Sequence, residues 1–278
     1  AKNWSMSKFQ NKPSNINNRS KGGGKNTPFK KRISKNPKNK TVKKGMRLNQ
    51  FIAHAGICSR READRFIAAG LVSINDGVVT EMGYRVKPSD TVKFNNELIK
   101  SEKKKYLLLN KPKGYICTLE DPKNRKTVMD LVSGACKERL YPVGRLHRQS
   151  TGLLLFTNDG EMAKKLTNPK HGFKKIYHVL LDKNLKSVDL KKIVEGVNLE
   201  EGTAYVEAAT YIKNAPKREV GIEIHRGKNS TVRRIFEHLG YNVLRLDRVY
   251  FAGLTKKDIP RGRHRFLSEQ EVAMLKMV

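Results

Sequence analysis

Residues 141–161 read YPVGRLHRQSTGLLLFTNDGE, and the rest of the chain is organised around this stretch. The apolar run at 153–156 predicts a buried strand, because four consecutive large apolar side chains leave no face for solvent. A basic turn precedes the run, and a polar turn follows it at 158–160. A loop that leads into a buried strand holds a functional side chain rigidly, and His147 stands where we expect that side chain.

The net charge of the chain is strongly positive. Its 278 residues carry a formal charge of +32 at pH 7, with a sequence pI near 10.2. Such a charge favours a polyanionic partner, either nucleic acid or an anionic membrane surface. No apolar run approaches the roughly 18 residues needed to span a bilayer, and the N-terminus lacks the apolar segment of a secretory signal. We therefore expect a cytoplasmic protein that binds nucleic acid and no membrane.

The sequence shows no pattern of metal or cofactor ligands. Its three cysteines, Cys58, Cys117 and Cys136, are odd in number and share no metal-ligand spacing, which fits a reducing compartment. Neither a zinc-protease motif nor a glycine-rich phosphate loop is present. We expect no metal and no cofactor, and we interpret the cysteines as packing residues.

Residues 1–45 form a basic tail. They contain 14 Lys or Arg and no Asp or Glu. Their apolar content is too low to offset the entropy of ordering, so we expect disorder unless the tail threads between RNA helices. A flexible solubilising extension is the alternative interpretation.

Residues 46–100 predict a small domain with two short helices on a hairpin sheet. Ser59 followed by Glu62 is a capping box that starts the second helix, and the Asn-Asp-Gly turn at 75–77 predicts a hairpin. Four arginines gather around the helix pair: Arg47, Arg60, Arg61 and Arg65.

This segment reads LNQFIAHAGICSRREADRFIAAGLVSINDGVV from residue 48 and resembles the small RNA-binding module named after the fourth small-subunit ribosomal protein. The resemblance implies that the helix pair docks on structured RNA mainly through phosphates. An ordinary charged helix face is the alternative. Arg60 and Arg61 favour RNA, because they follow the cap at a helix N-terminus, which itself attracts phosphate.

Residues 106–278 predict a second domain of the mixed, mostly antiparallel α+β class, because strands outnumber the helices and interleave with them irregularly. Ser268 with Glu271 predicts the cap of a final helix. The predicted strands lie at 106–110, 175–181, 206–211, 220–225 and 244–249, and the predicted helices at 128–132, 161–166, 185–194 and 232–239.

Four motifs of this domain match one family in order and spacing. They read LLLNKPKGYICT, VGRLHRQSTGLLLFTNDGEMA, KIYHV, and GKNSTVRRIFEHLGY with VLRLDRV. Together with the small module, they resemble the bacterial ribosomal-RNA pseudouridine synthases over residues 46–278. The resemblance implies an enzyme that flips a uridine out of structured RNA, breaks its N-glycosidic bond and rejoins the base through C5.

The same resemblance implies three site positions. In that family an Asp after Gly-Arg-Leu acts on the ribose, a Tyr stacks on the target base, and an Arg pairs with the Asp. Tyr177 and Arg233 match the last two, but His147 occupies the Asp position. A second departure is Asn-Ser-Thr at 229–231, where the family commonly carries Asn-Arg-Gln. Imidazole is bulkier than a carboxylate and cannot form its charge-assisted pair with Arg233.

Two nearby carboxylates do not replace the missing one. We expect Asp159 to be a turn or cap residue after the strand, and Asp130 to lie in the helix predicted before it. The polar and basic loop residues are predicted to contact RNA together with the four arginines of the small module: Lys111, Lys113, Arg145, Arg148, Lys228, Asn229 and Arg234.

The leading hypothesis is a monomeric ribosomal-RNA-binding protein on a pseudouridine synthase scaffold that has lost catalysis. It would act on the ribosome or during its assembly, with the large subunit as the expected partner. One alternative is an active synthase in which His147 removes the ribose C2 proton as a general base, or in which another Asp is recruited. A nonspecific nucleic-acid binder is a third possibility.

Overall fold

The computed structural model of the chain describes residues 45–100, 102–200, 202–227 and 230–277. The predicted basic tail therefore lies outside the described residues, except for Gly45. Lys228 and Asn229, two of the predicted RNA contacts, lie outside them as well.

The small module has its own apolar core, built around Leu48, Ile52 and Ile67. The capping box at Ser59 and Glu62 forms as predicted. Both hairpins turn through two residues of positive φ, Asn75-Asp76 and Asn95-Asn96, as tight hairpins require. In the larger of two sheets the strand order is β3-β2-β5-β6, and β1 pairs with β4. The elements are β1 (Met46–Arg47), α1 (Leu48–His54), α2 (Arg60–Ala68), β2 (Val72–Ile74), β3 (Gly77–Val78), β4 (Arg85–Val86), β5 (Val92–Phe94) and β6 (Glu97–Leu98).

The rest of the chain forms one large sheet with helices on its faces and a separate small hairpin. A short 3₁₀ turn at Pro169–His171 follows its first helix. The elements are β7 (Tyr106–Lys111), β8 (Tyr141–Pro142), β9 (Thr151–Thr157), α3 (Gly160–Thr167), β10 (Lys175–Leu181), α4 (Ser187–Glu195), β11 (Val197–Leu199), β12 (Gly202–Ala204), β13 (Ala208–Tyr211), β14 (Glu219–Ile224), α5 (Thr231–His238), β15 (Val243–Phe251), β16 (Leu254–Thr255), β17 (His264–Phe266) and α6 (Glu269–Met277).

The strand order of the large sheet is β13-β14-β10-β15-β9-β7-β17, with β8 beside β9 and β16 beside β15. Every pairing is antiparallel except that of β9 with β15, which is parallel. This confirms the mixed, mostly antiparallel α+β class. Among the described residues, no helix has both the length and the apolarity to cross a bilayer.

β9 lies between two apolar cores, as the run at 153–156 predicted. Leu154 and Phe156 pack into the core on one face of the sheet, and Leu153 and Leu155 into the core on the other. All four side chains are fully buried. A strand covered on both faces is apolar at consecutive positions, and for this reason the stretch was recognisable from sequence.

Three local predictions need correction. Residues 128–132 form turns and not a regular α-helix, because the N–H groups of residues 130, 131 and 132 bond to carbonyls three and not four positions back. The strand predicted from 206 begins at Ala208. The hairpin β11–β12 and the edge strand β17 were not predicted, since three-residue strands carry little periodicity.

Gly152 marks the point where β9 approaches β15 most closely. Its φ is +103°, and a Cβ atom there would lie 2.2 Å from the Arg248 carbonyl oxygen and 2.5 Å from Asp247 Oδ1. A side chain at this position would push the two parallel strands apart. The start of β9, directly after the loop that carries His147, therefore requires glycine.

We expect Gly152→Ala to destabilise the fold by at least about 3 kcal/mol, because it combines an unfavourable φ with a clash against backbone. Gly202→Ala is the matched control: its φ is +111°, but no heavy atom lies within 4 Å of the added Cβ. The control should cost only about 1–2 kcal/mol. Urea denaturation of both variants measures the difference, and equal losses would contradict the steric argument.

Candidate functional site

The loop at residues 143–150, here called the His147 loop, connects β8 to β9. A buried ammonium group binds its backbone from the protein interior. Lys111 at the end of β7 is fully buried. Its Nζ donates to four carbonyl oxygens, those of residues 112, 147, 148 and 150, at 3.1, 3.2, 3.4 and 2.8 Å. Three of these acceptors belong to the His147 loop, so Lys111 fixes its path.

Burial, with a smaller contribution from the positive charge of Arg261 nearby, lowers the pKa of Lys111 to about 8. The four carbonyl dipoles stand in for water around the ammonium group. Lys111 was predicted to contact RNA directly, but its buried position does not fit that role. It holds the loop from inside the protein.

A second segment, residues 112–118, braces the His147 loop from the side. Arg148 Nε donates to the Gly114 carbonyl at 3.2 Å, and the Gly114 N–H donates to the Arg148 carbonyl at 2.9 Å. The Leu146 N–H donates to Cys117 Sγ at 3.3 Å. Burial raises the pKa of the Cys117 thiol, so this cysteine is an internal acceptor and not an activated nucleophile.

The His147 side chain is exposed at the tip of the loop. Its Nδ1 lies 3.2 Å from the backbone N–H of Gln149 and accepts that hydrogen bond. The ring proton of a neutral imidazole must then be on Nε2, and a protonated imidazole carries one there too. While the Gln149 N–H bond is made, Nε2 of the neutral ring carries the proton and is a hydrogen-bond donor, not a proton acceptor.

Asp247 is the buried carboxylate next to the start of β9, where it pairs with Thr151 across the parallel strands. It binds Lys256 and accepts from Arg261 at 2.9 and 3.2 Å. Burial alone would raise the pKa of Asp247, but the hydrogen bonds from Arg261 and Lys256 outweigh it, and the pKa lies below its ordinary value. Both oxygens are engaged, so Asp247 does not supply the missing acid.

Asp159 is a helix cap. Its Oδ1 accepts from the N–H groups of Glu161 and Met162, and its Oδ2 binds Lys104 at 2.9 Å and the Tyr106 hydroxyl at 2.8 Å. This confirms the expected cap or turn role. Asp130 is likewise engaged within its turn, with Thr127.

Of the two other positions that the family resemblance implies, Tyr177 is buried and Arg233 is half-buried. Tyr177 on β10 is 3% exposed and belongs to the core that also contains Leu154. Arg233 on α5 donates from Nη1 to the Val243 carbonyl at 3.0 Å. The described partner of Arg233 is thus a backbone carbonyl at the start of β15.

Arg248 is a buried cation that the sequence analysis did not single out. It lies opposite Tyr177 across β10 and β15 and is 2% exposed. Its Nε donates to the Leu153 carbonyl at 2.8 Å, and its guanidinium carbon lies 4.7 Å from the Phe251 ring centre. Arg248 Nη2 and Ser150 Oγ are buried without a hydrogen-bond partner among the described residues. The motif VLRLDRV contains Arg248 but does not reveal its burial.

The other predicted RNA contacts form two groups. Arg234 on α5 is half-buried and lies 3.7 Å from Glu200. The exposed residues belong to the small module and to the loops around His147: Arg47, Arg60, Arg61, Arg65, Lys113, Arg145 and Arg148.

Comparison with known proteins agrees with this architecture. The family model described as RNA pseudouridylate synthase matches residues 105–238, and the S4 domain model matches residues 46–92. A large mixed sheet preceded by a small RNA-binding module defines an RNA-modifying class of protein. The chain belongs to the RNA pseudouridylate synthase family, whose members are isomerases.

Its relatives cover most of the chain. Ribosomal large subunit pseudouridine synthase B of Bacillus subtilis is 39% identical over 83% of this chain and 95% of its own length. The dual-specificity RNA pseudouridine synthase RluF of Escherichia coli K12 is 36% identical over 82% of this chain and 77% of its own length. A crystal structure of a pseudouridylate synthase superposes with a TM-score of 0.59 at 28% identity, covering 83% of this chain and all of that one.

Lys111→Met tests the buried tether through its pH dependence. The pKa of Lys111 is about 8 in the folded protein, against an ordinary value of 10.5. Between these values the unfolded chain binds more protons than the folded one, so the free energy of unfolding rises with pH. We expect wild-type protein to gain stability relative to Lys111→Met from pH 8 to 10.5. Urea midpoints of both proteins measure this gain, and a constant difference across the window would contradict it.

Proposed function

We propose that this chain binds ribosomal RNA through a pseudouridine synthase scaffold and does not isomerise uridine. The observation that carries the proposal is the geometry of His147. The family reaction needs a group that attacks the ribose or removes its proton, and both steps require an accessible lone pair. Nδ1 of His147 is occupied by the Gln149 N–H, and the exposed Nε2 is a donor.

The backbone of the loop is nevertheless rigidly held. Lys111 holds its backbone, and residues 112–118 brace its side. A rigid loop with a donor at its tip and arginines beside it suits binding of phosphate and base oxygens. The carboxylate expected at position 147 is replaced by His147, whereas the loop that carries it is still rigidly held. This combination supports a role in RNA binding.

The proposed binding surface extends over both parts of the protein. We assign residues 46–100 to a small RNA-binding domain and 106–278 to the synthase-like domain. The exposed arginines of the first and the loop cations of the second would contact phosphates. The names of the relatives concern the large ribosomal subunit, and we extend that target to this chain, as a monomer acting in the cytoplasm on the ribosome or during its assembly.

An active synthase is the second candidate, and the names of the relatives favour it. It requires His147 to release the Gln149 N–H, so that a ring nitrogen can face the ribose as a general base. Tyr177 would then stack on the flipped uracil, and Arg233 would orient the reacting group. Both roles need side chains that are now engaged inside the protein to turn toward the substrate.

Incubation with large-subunit ribosomal RNA separates the two candidates. Purified wild-type protein should give no new carbodiimide-dependent stops in primer extension, the signature of pseudouridine. His147→Asp combined with Ser230→Arg should restore stops, because it returns a carboxylate and a cation to the pocket. His147→Asn with the same second change is the matched control without the charge. Stops from wild-type protein that disappear in His147→Ala would establish the active candidate instead.

Binding by the small module has its own test. Arg61→Ala with Arg65→Ala removes two exposed cations of α2. The slope of the logarithm of the RNA association constant against the logarithm of the salt concentration should then become shallower by about 2, since each phosphate contact contributes roughly 0.9. Lys191→Ala with Lys213→Ala, two exposed cations near the β13 edge of the sheet, should leave the slope unchanged. If both pairs reduce the slope equally, binding is nonspecific and the predicted docking face is wrong.

A further inference from the structure

A cleft separates the small module from the corner where β8 and α3 meet. Its volume is about 1060 Å³, at the upper end of the roughly 300–1,000 Å³ typical of ligand sites. One wall is formed by residues of β1, α1 and α2, and the other by Tyr141, Gly160 and Lys164. It lies outside the His147 loop, and no residue that we assigned to catalysis lines it.

The charge of the lining is strongly positive. One carboxylate, Glu161, faces the cleft among its lining residues. Arg85 donates to the Gly45 carbonyl at 2.7 Å, and Arg139 lies 4.0 Å from Glu62, at the limit of an ion pair. The side chains of Arg139 and Glu62 are 35% and 48% exposed, so this pair is weak. The cations of the lining are Arg47, Arg60, Arg85, Arg139 and Lys164.

The same cleft has an apolar and aromatic part. Leu119 lines it and is 41% exposed, which leaves a large apolar side chain in contact with water. Tyr141 lines the opposite part of the wall. Burial and the charge of Asp159 raise the pKa of Tyr141 to about 12, so its hydroxyl remains a neutral donor. A cationic rim with an apolar and phenolic wall matches the chemistry of a nucleotide, with a phosphate at one end and a base at the other.

The walls are held in place by contacts between the two parts of the protein. His54 packs on Gly160 so closely that a Cβ at residue 160 would lie 2.5 Å from His54 Nε2. Asn158 donates to the carboxylate of the linker residue Glu102 at 3.3 Å, and Glu102 in turn lies against Gly56 of the small module. A cleft fixed in this way loses little entropy when a ligand enters.

We infer that this cleft binds an unpaired nucleotide of the bound RNA strand. The phosphate lies at Arg60 and Arg139, and the base packs against Tyr141 and Leu119. The inference rests on the proposed RNA-binding function and extends it. The cleft lies at the Thr157 end of β9, where Tyr141 pairs with Thr157, and the His147 loop lies before the other end, at Thr151. An RNA strand held in the cleft must therefore run the length of β9 to reach that loop.

The test compares two RNAs of one large-subunit hairpin, with and without an unpaired flank of three nucleotides. Wild-type protein should bind the flanked RNA roughly tenfold more tightly, as expected for one stacked base with its phosphate. Arg139→Ala with Lys164→Ala should abolish this ratio. Ala53→Trp should do the same, because Ala53 lines the cleft and a Trp fills it without changing any charge. Thermal unfolding checks that each variant is folded.

The control pair Lys191→Ala with Lys213→Ala should retain the tenfold ratio. A 4-thiouridine in the flank should crosslink to the peptide that contains Tyr141 or Leu119. The inference would be overturned if wild-type protein bound the flanked and unflanked RNAs equally well, or if both cleft variants kept the tenfold preference for the flanked RNA. Binding of the unflanked hairpin measures the proposed function separately. Displacement of the flank by uridine monophosphate at micromolar concentration would also overturn it, in favour of a free-nucleotide site.

Discussion

The interaction on which the candidate site depends is the contact of the buried Lys111 ammonium with four backbone carbonyls. A charged group without water needs every proton paired, and the His147 loop provides three of the acceptors. The loop is thereby fixed from inside the protein, independently of what its tip carries. The backbone of the loop is therefore set by Lys111 and does not depend on the side chain of His147.

The second constraint is the parallel contact of β9 with β15 at Gly152. It brings Asp247 and Arg248 beside the loop on neighbouring positions of one strand. Asp247 is neutralised by Arg261 and Lys256, whereas Arg248 retains a buried nitrogen without a partner among the described residues. The environment of the loop is therefore cationic. A cationic environment favours contacts with RNA phosphates, and Asp247 is not available as a catalytic acid because its charge is paired.

The small module and the large sheet are joined by close packing and not only by a linker. His54 of the small module packs directly against Gly160, and the linker residue Glu102 lies between Asn158 and Gly56 of the small module. The sequence suggested the two parts through the change in composition near residue 100, because linkers are polar and charged. It gave no indication of the cleft, since its cations come from five separate segments of the chain.

The sequence by itself determined the burial of β9, the capping box at Ser59, the hairpin turn at residue 75 and the α+β class, because each depends on local periodicity or on turn and cap chemistry. It also led to the interpretation that His147 stands at the position of the family Asp. Only the tertiary structure decided that Lys111 is internal, that His147 Nδ1 is occupied, and that Arg248 is buried beside the loop. The burial of Lys111 and Arg248 depends on contacts between residues distant in sequence. The bond from the Gln149 N–H to His147 is local, but it depends on a loop conformation that packing sets and that the local pattern does not reveal.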